Sequence, residues 1–323
     1  MRPVLVLGAT GFVGRSLVPR LLDDGEVVRA ASRHPPGGRA RPGLSWVQCD
    51  VREPSTLRPA LEGVGCVYYL VHGMGAHGSD FREVERASAH ALARAAAASG
   101  CERIVYLGGV APVGEPSEHL ASRLEVGEIL RKGRVPALEL RAAMIIGAGS
   151  ASWRIMRDLA MRLPIMVLPR WLESRCRPIA IDDAVTALLD ARRVPLERSA
   201  WFDIPGPDEL SARELLFVVG ALRGRRIPAL RVPVLTPRLS ALWLKLVTRT
   251  DYRLARELVL GLTGDLLPRD ERYFELTGHR PRMGFEEAAR AALDAERRTA
   301  SASELIARWE ERLVQRVGPR ATP

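Results

Sequence analysis

Short apolar runs alternate with stretches of helical hydrophobic spacing through the first half of the chain. Apolar runs that are rich in β-branched residues and bounded by Gly, Asp or Pro predict strands, here over residues 4–7, 27–31, 45–49, 66–71, 103–107 and 137–141. Apolar residues that recur every three or four positions predict helices between these strands, over residues 13–22, 54–61, 81–99 and 120–131. Because parallel strands need crossover connections, this alternation predicts an α/β fold with a doubly wound parallel sheet.

The pattern becomes mostly helical beyond about Gly147. Helical spacing continues, with Pro-containing interruptions, over residues 151–163, 183–191, 211–222, 237–247, 252–262, 285–297 and 303–317. We therefore predict an α/β domain over residues 1–150, with a further contribution to its sheet from 176–205. A smaller, mostly helical domain for a substrate or partner is predicted over residues 151–323.

The composition suits a globular protein that does not bind nucleic acid. The 323 residues are 47% hydrophobic, and 48 Lys and Arg against 38 Asp and Glu give a net charge of +10. Only Lys132 and Lys245 are lysines, and the arginines form no long basic run. Nucleic-acid binders cluster their charge on one face or in one tail, so a solvated arginine-rich surface is the favoured interpretation.

No feature of the sequence predicts export, a membrane span or a metal centre. The apolar runs are shorter than the roughly 18–20 residues of a transmembrane helix, and the N-terminal run is too short for a signal peptide. The four cysteines lie far apart without a C-x-x-C pair. We expect a cytoplasmic protein. The apolar segment 235–247 is expected to pack on the smaller domain, with peripheral membrane contact as the alternative.

A glycine-rich loop lies between the first predicted strand and the first predicted helix. Its spacing is G-x-x-G-x-x-G. Glycine permits positive φ and brings bare amides close to a pyrophosphate, which then lies at the helix N-terminus. The context of strand, loop and helix favours dinucleotide binding over a purely structural turn. The predicted phosphate-binding residues are Gly8, Thr10, Gly11, Phe12, Val13 and Gly14.

The end of the second strand bears on the choice of dinucleotide. A site selective for NAD places a carboxylate there to bind the ribose 2′-hydroxyl. Residues 27–48 contain no carboxylate, and Ser32 and Arg33 stand at the strand end instead. A hydroxyl and a guanidinium suit the 2′-phosphate of NADP(H), so NADP(H) is preferred and NAD(H) is possible. The alternative is that Arg33 is an ordinary surface arginine.

The sequence resembles the extended and atypical branches of the short-chain dehydrogenase/reductase superfamily. The glycine motif, Cys49–Val51 and the segments 177–184 and 202–207 resemble the extended type. Segments 69–75, 119–127 and 140–147 are similar to an NmrA-like subgroup, and the resemblance covers about residues 1–265. It implies a Rossmann domain over residues 1–150. It also implies further cofactor contacts after the third, fourth and fifth strands, from Asp50, Val51, Val71, His72 and Gly108. For His72 a strand-end cap is the alternative.

The catalytic set of that superfamily is altered in this chain. The superfamily uses a Ser, a Tyr and a Lys that stands four residues after the Tyr. This Lys lowers the pKa of the Tyr phenol, which is the general acid and base. No tyrosine here is followed by a lysine at that spacing. The resemblance matches His119 to the Tyr and Arg123 to the Lys, and the strand end that should supply the Ser has Gly108 and Gly109.

Two functional hypotheses follow. In the first, His119 replaces the phenol as proton donor and Arg123 binds the ribose, in an NADP(H)-dependent oxidoreductase acting on a small carbonyl, quinone or enone-like compound. In the second, the chain is a non-catalytic NADP(H)-binding sensor or scaffold. A structural alternative is also open, in which Ser122 and Glu125 form a capping box that starts a helix, with His119 and Arg123 near its surface end.

Overall fold

The computed structural model describes residues 2–36, 41–71, 81–162, 166–168, 170–225, 229–231 and 264–299. His72 and the predictions for segments 235–247, 252–262 and 303–317 lie outside these ranges. In chain order the strands are β1 (Val4–Leu7), β2 (Val28–Ser32), β3 (Leu44–Gln48), β4 (Cys66–Tyr69), β5 (Arg103–Gly109), β6 (Ala137–Ala142), β7 (Ile145–Ile146), β8 (Met166–Leu168), β9 (Arg175–Cys176), β10 (Ile179–Ala180), β11 (Ala200–Asp203), β12 (Leu210–Ser211) and β13 (Ala229–Arg231).

The helices connect these strands and cover the sheet. They are α1 (Phe12–Asp23), α2 (Pro54–Leu61), α3 (Phe81–Ala98), α4 (Glu118–Arg131), α5 (Ala151–Arg162), α6 (Ile181–Ala191), α7 (Ala212–Ala221), α8 (Arg272–Thr277) and α9 (Phe285–Thr299). None of the helices in the described ranges is long and apolar enough to cross a bilayer.

The main sheet has seven parallel strands in the order β3-β2-β1-β4-β5-β6-β11. The predicted doubly wound α/β fold is therefore confirmed. The strand order reverses between β1 and β4, and ligands of such sheets bind beyond the carboxyl ends of the strands at this point. The last strand, β11, comes from within residues 176–205.

The central strand β1 explains why its sequence is a continuous apolar run. Val4 and Val6 belong to the core on one face of the sheet, and Leu5 and Leu7 belong to the core on the other. All four are at most 2% exposed. A strand covered by helices on both faces has no polar side, so its sequence lacks alternation.

A third apolar core lies between α5, α7 and α9 and contains the fully buried Trp153. The segment 264–271 connects this region to the main sheet. The Asp203 carboxylate at the end of β11 accepts hydrogen bonds from the backbone N–H groups of Arg269, at 2.6 Å, and Asp270, at 3.1 Å. Further along, the N–H of Val113 donates to the carbonyl of Asp265 at 3.0 Å. These bonds hold the segment against the loop that follows β5.

Two local features differ from the sequence predictions. Helix α4 begins at Glu118, and the Ser117 side chain accepts a hydrogen bond from the N–H of Leu120 at 3.3 Å. The alternative in which Ser122 and Glu125 start the helix as a capping box is therefore wrong, because Ser122 lies inside the helix and is 1% exposed. The short helix α8 was not predicted, since its six residues are too few to show a helical period.

Candidate functional site

A cleft of about 790 Å³ lies beyond the carboxyl ends of β1, β2, β4, β5 and β6. Its size falls in the range of small-molecule sites, roughly 300–1,000 Å³. Every predicted site residue within the described ranges lines it. These are Gly8, Thr10, Gly11, Phe12, Val13, Gly14, Ser32, Arg33, Asp50, Val51, Val71, Gly108, His119 and Arg123.

The glycine loop closes tightly enough that side chains would not fit. Gly8 has a φ of +87°, and a Cβ there would lie 3.0 Å from the carbonyl carbon of Leu70. A Cβ at Gly14 would lie 2.2 Å from the carbonyl oxygen of Gly8 and 2.7 Å from the Cα of Ala9. The loop therefore places the first turn of α1 directly against the end of β1.

No side chain of the described residues caps the N-terminus of α1. Its N-cap, Gly11, has no side chain, and the first turn contains no acidic residue. The free N–H groups and the helix dipole there favour an anion. The narrow glycine cradle and this uncapped helix end fit the pyrophosphate of a dinucleotide.

Charged side chains gather at the end of the cleft formed by β2 and β3. Arg52 donates to the Asp50 carboxylate through Nε at 3.0 Å and Nη2 at 2.6 Å. The hydrogen bond from Arg52 holds the pKa of Asp50 below its ordinary value, and the positive charge of Arg33 also lowers that pKa. With Asp50 neutralised in this way, two guanidinium groups line a site that suits a phosphate. Arg52 was missed in the sequence, where it stands among many arginines.

The end of β5 has no space for a serine side chain. A Cβ at Gly108 would lie 2.6 Å from the Glu139 Oε1 atom, and one at Gly109 would lie 2.6 Å from the Leu120 Cδ1 atom. Glu139 is 1% exposed and is held by Arg141 at 2.9 Å and by Arg131 at 2.9 Å. A buried ion cluster therefore occupies the space behind this strand end, and a side chain at Gly108 would have to displace the Glu139 carboxylate.

His119 and Arg123 lie one turn apart on α4 and both line the cleft. Arg123 donates through Nη2 to the carbonyl of Leu107 at 2.8 Å, while its buried Nε has no partner among the described residues. The imidazole of His119 stacks on Phe81, with ring centroids 6.2 Å apart. This hydrogen bond fixes Arg123 against the end of β5 and leaves other N–H groups of its guanidinium available as donors.

The environment of His119 favours the neutral imidazole. Burial, followed by the positive charge of Arg123, lowers its pKa from 6.5 to about 4. A neutral imidazole donates through one ring nitrogen and accepts through the other. At pH 7 His119 is therefore suited to donating a hydrogen bond to a substrate oxygen or to accepting a proton.

The tyrosines of the described ranges do not reach the cleft. Tyr68, Tyr69, Tyr106 and Tyr273 are each at most 1% exposed in the interior. The hydroxyl of Tyr106 donates to the backbone carbonyl of Arg123 at 3.1 Å. Burial raises the pKa of Tyr106 and of Tyr69. None of these four phenols is placed or tuned for proton transfer.

Part of the cleft lining was missed in the sequence. We call it the apolar chamber, and it is formed by Val110, Leu120, Met156, Leu159, Leu215 and Leu266. Its members come from the β5–α4 loop, α4, α5, α7 and the segment 264–271. Each has an ordinary core position in its own element, so no local pattern marks it. The hydroxyl groups of Ser150 and Ser152 also line the cleft, and Ser150 accepts from the N–H of Trp153 at 3.4 Å as an N-cap.

The first half of the chain is similar to known NAD(P)H-binding proteins. A family described as NAD(P)H-binding matches residues 8–157. Sterol demethylase protein B of Methylococcus capsulatus is 34% identical over 125 residues, which cover 36% of this chain and 38% of that protein. Ceramide reductase of Caulobacter vibrioides is 29% identical over 197 residues, which cover 60% of this chain and 62% of that protein. The matches thus span less than two thirds of either relative.

The solved structure of MoeE5 in complex with UDP-glucuronic acid and NAD has the same fold. Its TM-score is 0.69 at 18% identity, and the alignment covers 92% of this chain and 100% of that chain. The fold and the cleft define a Rossmann-type dinucleotide-binding protein. More particularly, residues 8–157 match an NAD(P)H-binding family, and the chain has the fold of an atypical NAD(P)-binding protein similar to the short-chain dehydrogenases/reductases.

Proposed function

We propose that the chain is an NADP(H)-dependent oxidoreductase that interconverts a carbonyl compound and its alcohol, with small carbonyl, quinone or enone-like compounds as substrates. The observation that carries the proposal is the placement of His119 and Arg123 on one face of α4, in the same cleft as the glycine loop. A bound nicotinamide dinucleotide supplies or accepts the hydride. Reduction of a carbonyl consumes that hydride and one proton, which comes from water.

The chain's own residues would bind and orient the reactants. Gly8, Gly11 and Gly14 hold the pyrophosphate at the N-terminus of α1. The guanidinium of Arg123, which lines the cleft, would donate to a ribose hydroxyl. His119 donates a hydrogen bond to the carbonyl oxygen, where negative charge develops during reduction. In the oxidative direction its neutral imidazole accepts the proton of the alcohol at one ring nitrogen and releases a proton to water from the other, which is the reverse of the path in reduction.

The preference for NADP(H) rests on the charges at the β2 and β3 ends. Arg33 and Arg52 line the cleft together with Asp50, and Arg52 pairs with that carboxylate. A charge-assisted contact with the 2′-phosphate is worth about 1.5–3 kcal/mol, which favours NADP(H) over NAD(H) roughly tenfold to a hundredfold.

The test combines cofactor titration with turnover on the purified protein. NADPH and NADH are titrated by nicotinamide fluorescence, and a panel of aldehydes, ketones and quinones is then added to follow NADPH oxidation. We expect turnover that His119→Gln and Arg123→Lys reduce, while His90→Gln, an exposed histidine on α3 outside the cleft, leaves it unchanged. Tight binding of NADPH without turnover on any acceptor would favour the non-catalytic sensor, and binding of neither cofactor would refute both functions.

A further inference from the structure

The charged and apolar linings of the cleft are separate. Among the described lining residues, charged side chains come from the β2 and β3 ends, α3 and α4, with Arg33 and Arg52 at one end and Arg123 near the middle. The lining contributed by α5, α7 and Leu266 contains no charged side chain. Beyond His119, the described walls are therefore apolar apart from serine hydroxyls.

The apolar chamber is contiguous and adjoins His119. Leu120 follows His119 on α4 and reaches over Gly109 at the end of β5. Leu120 belongs to the same apolar core as Met156, Leu215 and Leu266. A substrate whose carbonyl contacts His119 would therefore extend its remaining atoms along this apolar surface.

We propose that the apolar chamber takes the apolar body of the carbonyl substrate, so that the chain acts on a hydrophobic ketone or aldehyde rather than on a nucleotide-linked sugar. The inference rests on the proposed function. A nucleotide sugar brings a diphosphate, whose charges need cations or several N–H donors when they leave water. The described walls of the apolar chamber offer neither, whereas an apolar body gains from leaving water there.

The fixed backbone around the apolar chamber supports a formed site. Leu266 is held by a hydrogen bond from its own N–H to the carbonyl of Arg175 at 2.8 Å. The carboxylate of the neighbouring Asp265 accepts a hydrogen bond from the N–H of Arg175 at 2.7 Å. The backbone carbonyl of Asp265 accepts one from the N–H of Val113 at 3.0 Å. These bonds fix the backbone of Asp265 and Leu266.

The probe is a fluorescent aryl ketone, a propionyl-substituted dimethylaminonaphthalene, whose emission moves to the blue in apolar surroundings. It is titrated into the full chain saturated with NADPH, and UDP-glucose is titrated separately as a competitor. We expect a blue shift that UDP-glucose does not reverse. Leu159→Asn is expected to weaken binding of the probe roughly tenfold. The matched control is Leu276→Asn, at a leucine of α8 that is 57% exposed and lies outside the cleft.

A second variant keeps the inference testable if Leu159→Asn does not fold. Leu159→Trp stays apolar but fills the space, and it should also weaken the probe while NADPH binding persists. Absence of a blue shift, displacement by UDP-glucose, or normal probe binding in both Leu159 variants would overturn the inference. Probe binding without NADPH oxidation would support the apolar chamber and count against the proposed hydride transfer. Loss of NADPH binding itself would overturn the proposed function instead.

Discussion

Replacing Gly14 with alanine tests whether the loop holds the pyrophosphate. The new Cβ would lie 2.2 Å from the carbonyl oxygen of Gly8, and both groups belong to backbone that has no rotamer to relax. Relief requires the first turn of α1 to move about 1 Å away from the loop, since non-bonded carbon contacts are normally about 3.5 Å or a little less. Such overpacking costs about 1–3 kcal/mol of stability.

The same movement displaces the N–H donors that would bind the phosphates. Losing one or two charge-assisted hydrogen bonds costs about 1.5–3 kcal/mol, so Gly14→Ala should raise the Kd for NADPH about tenfold to a hundredfold. The assay is nicotinamide fluorescence titration, with thermal unfolding measured on the same samples.

The matched control lies at the opposite end of α1. Gly25 has a φ of +81° and open space around its Cβ position. Gly25→Ala therefore costs about 1–2 kcal/mol through backbone strain alone and should leave the Kd for NADPH unchanged. Wild-type affinity in Gly14→Ala would refute the role of the loop. Equal losses of affinity in both variants would show that stability, and not loop geometry, governs binding.

Three further predictions concern charge. Arg33→Ala should reduce the ratio of NADPH to NADH affinity roughly tenfold or more, measured by parallel titrations, because it removes a phosphate partner. Glu139→Ala should cost about 3–5 kcal/mol in urea unfolding because two arginines lose a buried partner, whereas Glu128→Ala, which breaks an exposed pair with Lys132, should leave the unfolding midpoint nearly unchanged. The folded pKa of His119, about 4, lies below the unfolded value near 6.5, so between these pH values the unfolded chain binds a proton that the native state does not. Acidification from pH 7 to pH 4 should therefore cost the wild type on the order of 3 kcal/mol more than His119→Gln, and equal losses in urea unfolding would contradict the buried imidazole.

The sheet was predictable because its signal is local. The run at β1 is apolar at every position, as expected for a strand covered on both faces. The start of α4 falls within two residues of the prediction, and the alternative start at Ser122 was open because Glu125 stands three residues later, a spacing that does not show that Ser122 is buried. Helix α8 could not be predicted because its six residues are too few for a helical period of apolar positions. Its adjacent aromatic residues, Tyr273 and Phe274, pack near β11.

The site was predictable where one segment carries it. The glycine loop has its spacing and context within residues 4–22, and the structure places it as expected. Arg52 and the apolar chamber depend on tertiary contacts, because no sequence spacing relates Val110 to Leu266. The absence of a serine at the end of β5 could be seen in the sequence, but its cause could not. Glu139 fills the space from a neighbouring strand.

If His119 and Arg123 take the places of the Tyr and the Lys, as the resemblance implies, they keep the electrostatic relation of that pair. In the family that the sequence resembles, a lysine lowers the pKa of a tyrosine one turn earlier and so favours its basic form. Here Arg123 lies one turn after His119 and lowers its pKa, in addition to burial. The cation again favours the proton-accepting form of the residue beside the substrate. A random loss of the catalytic residues has no reason to preserve this spacing, this sign of the pKa shift and a shared cleft, and their joint presence is the argument for a working site.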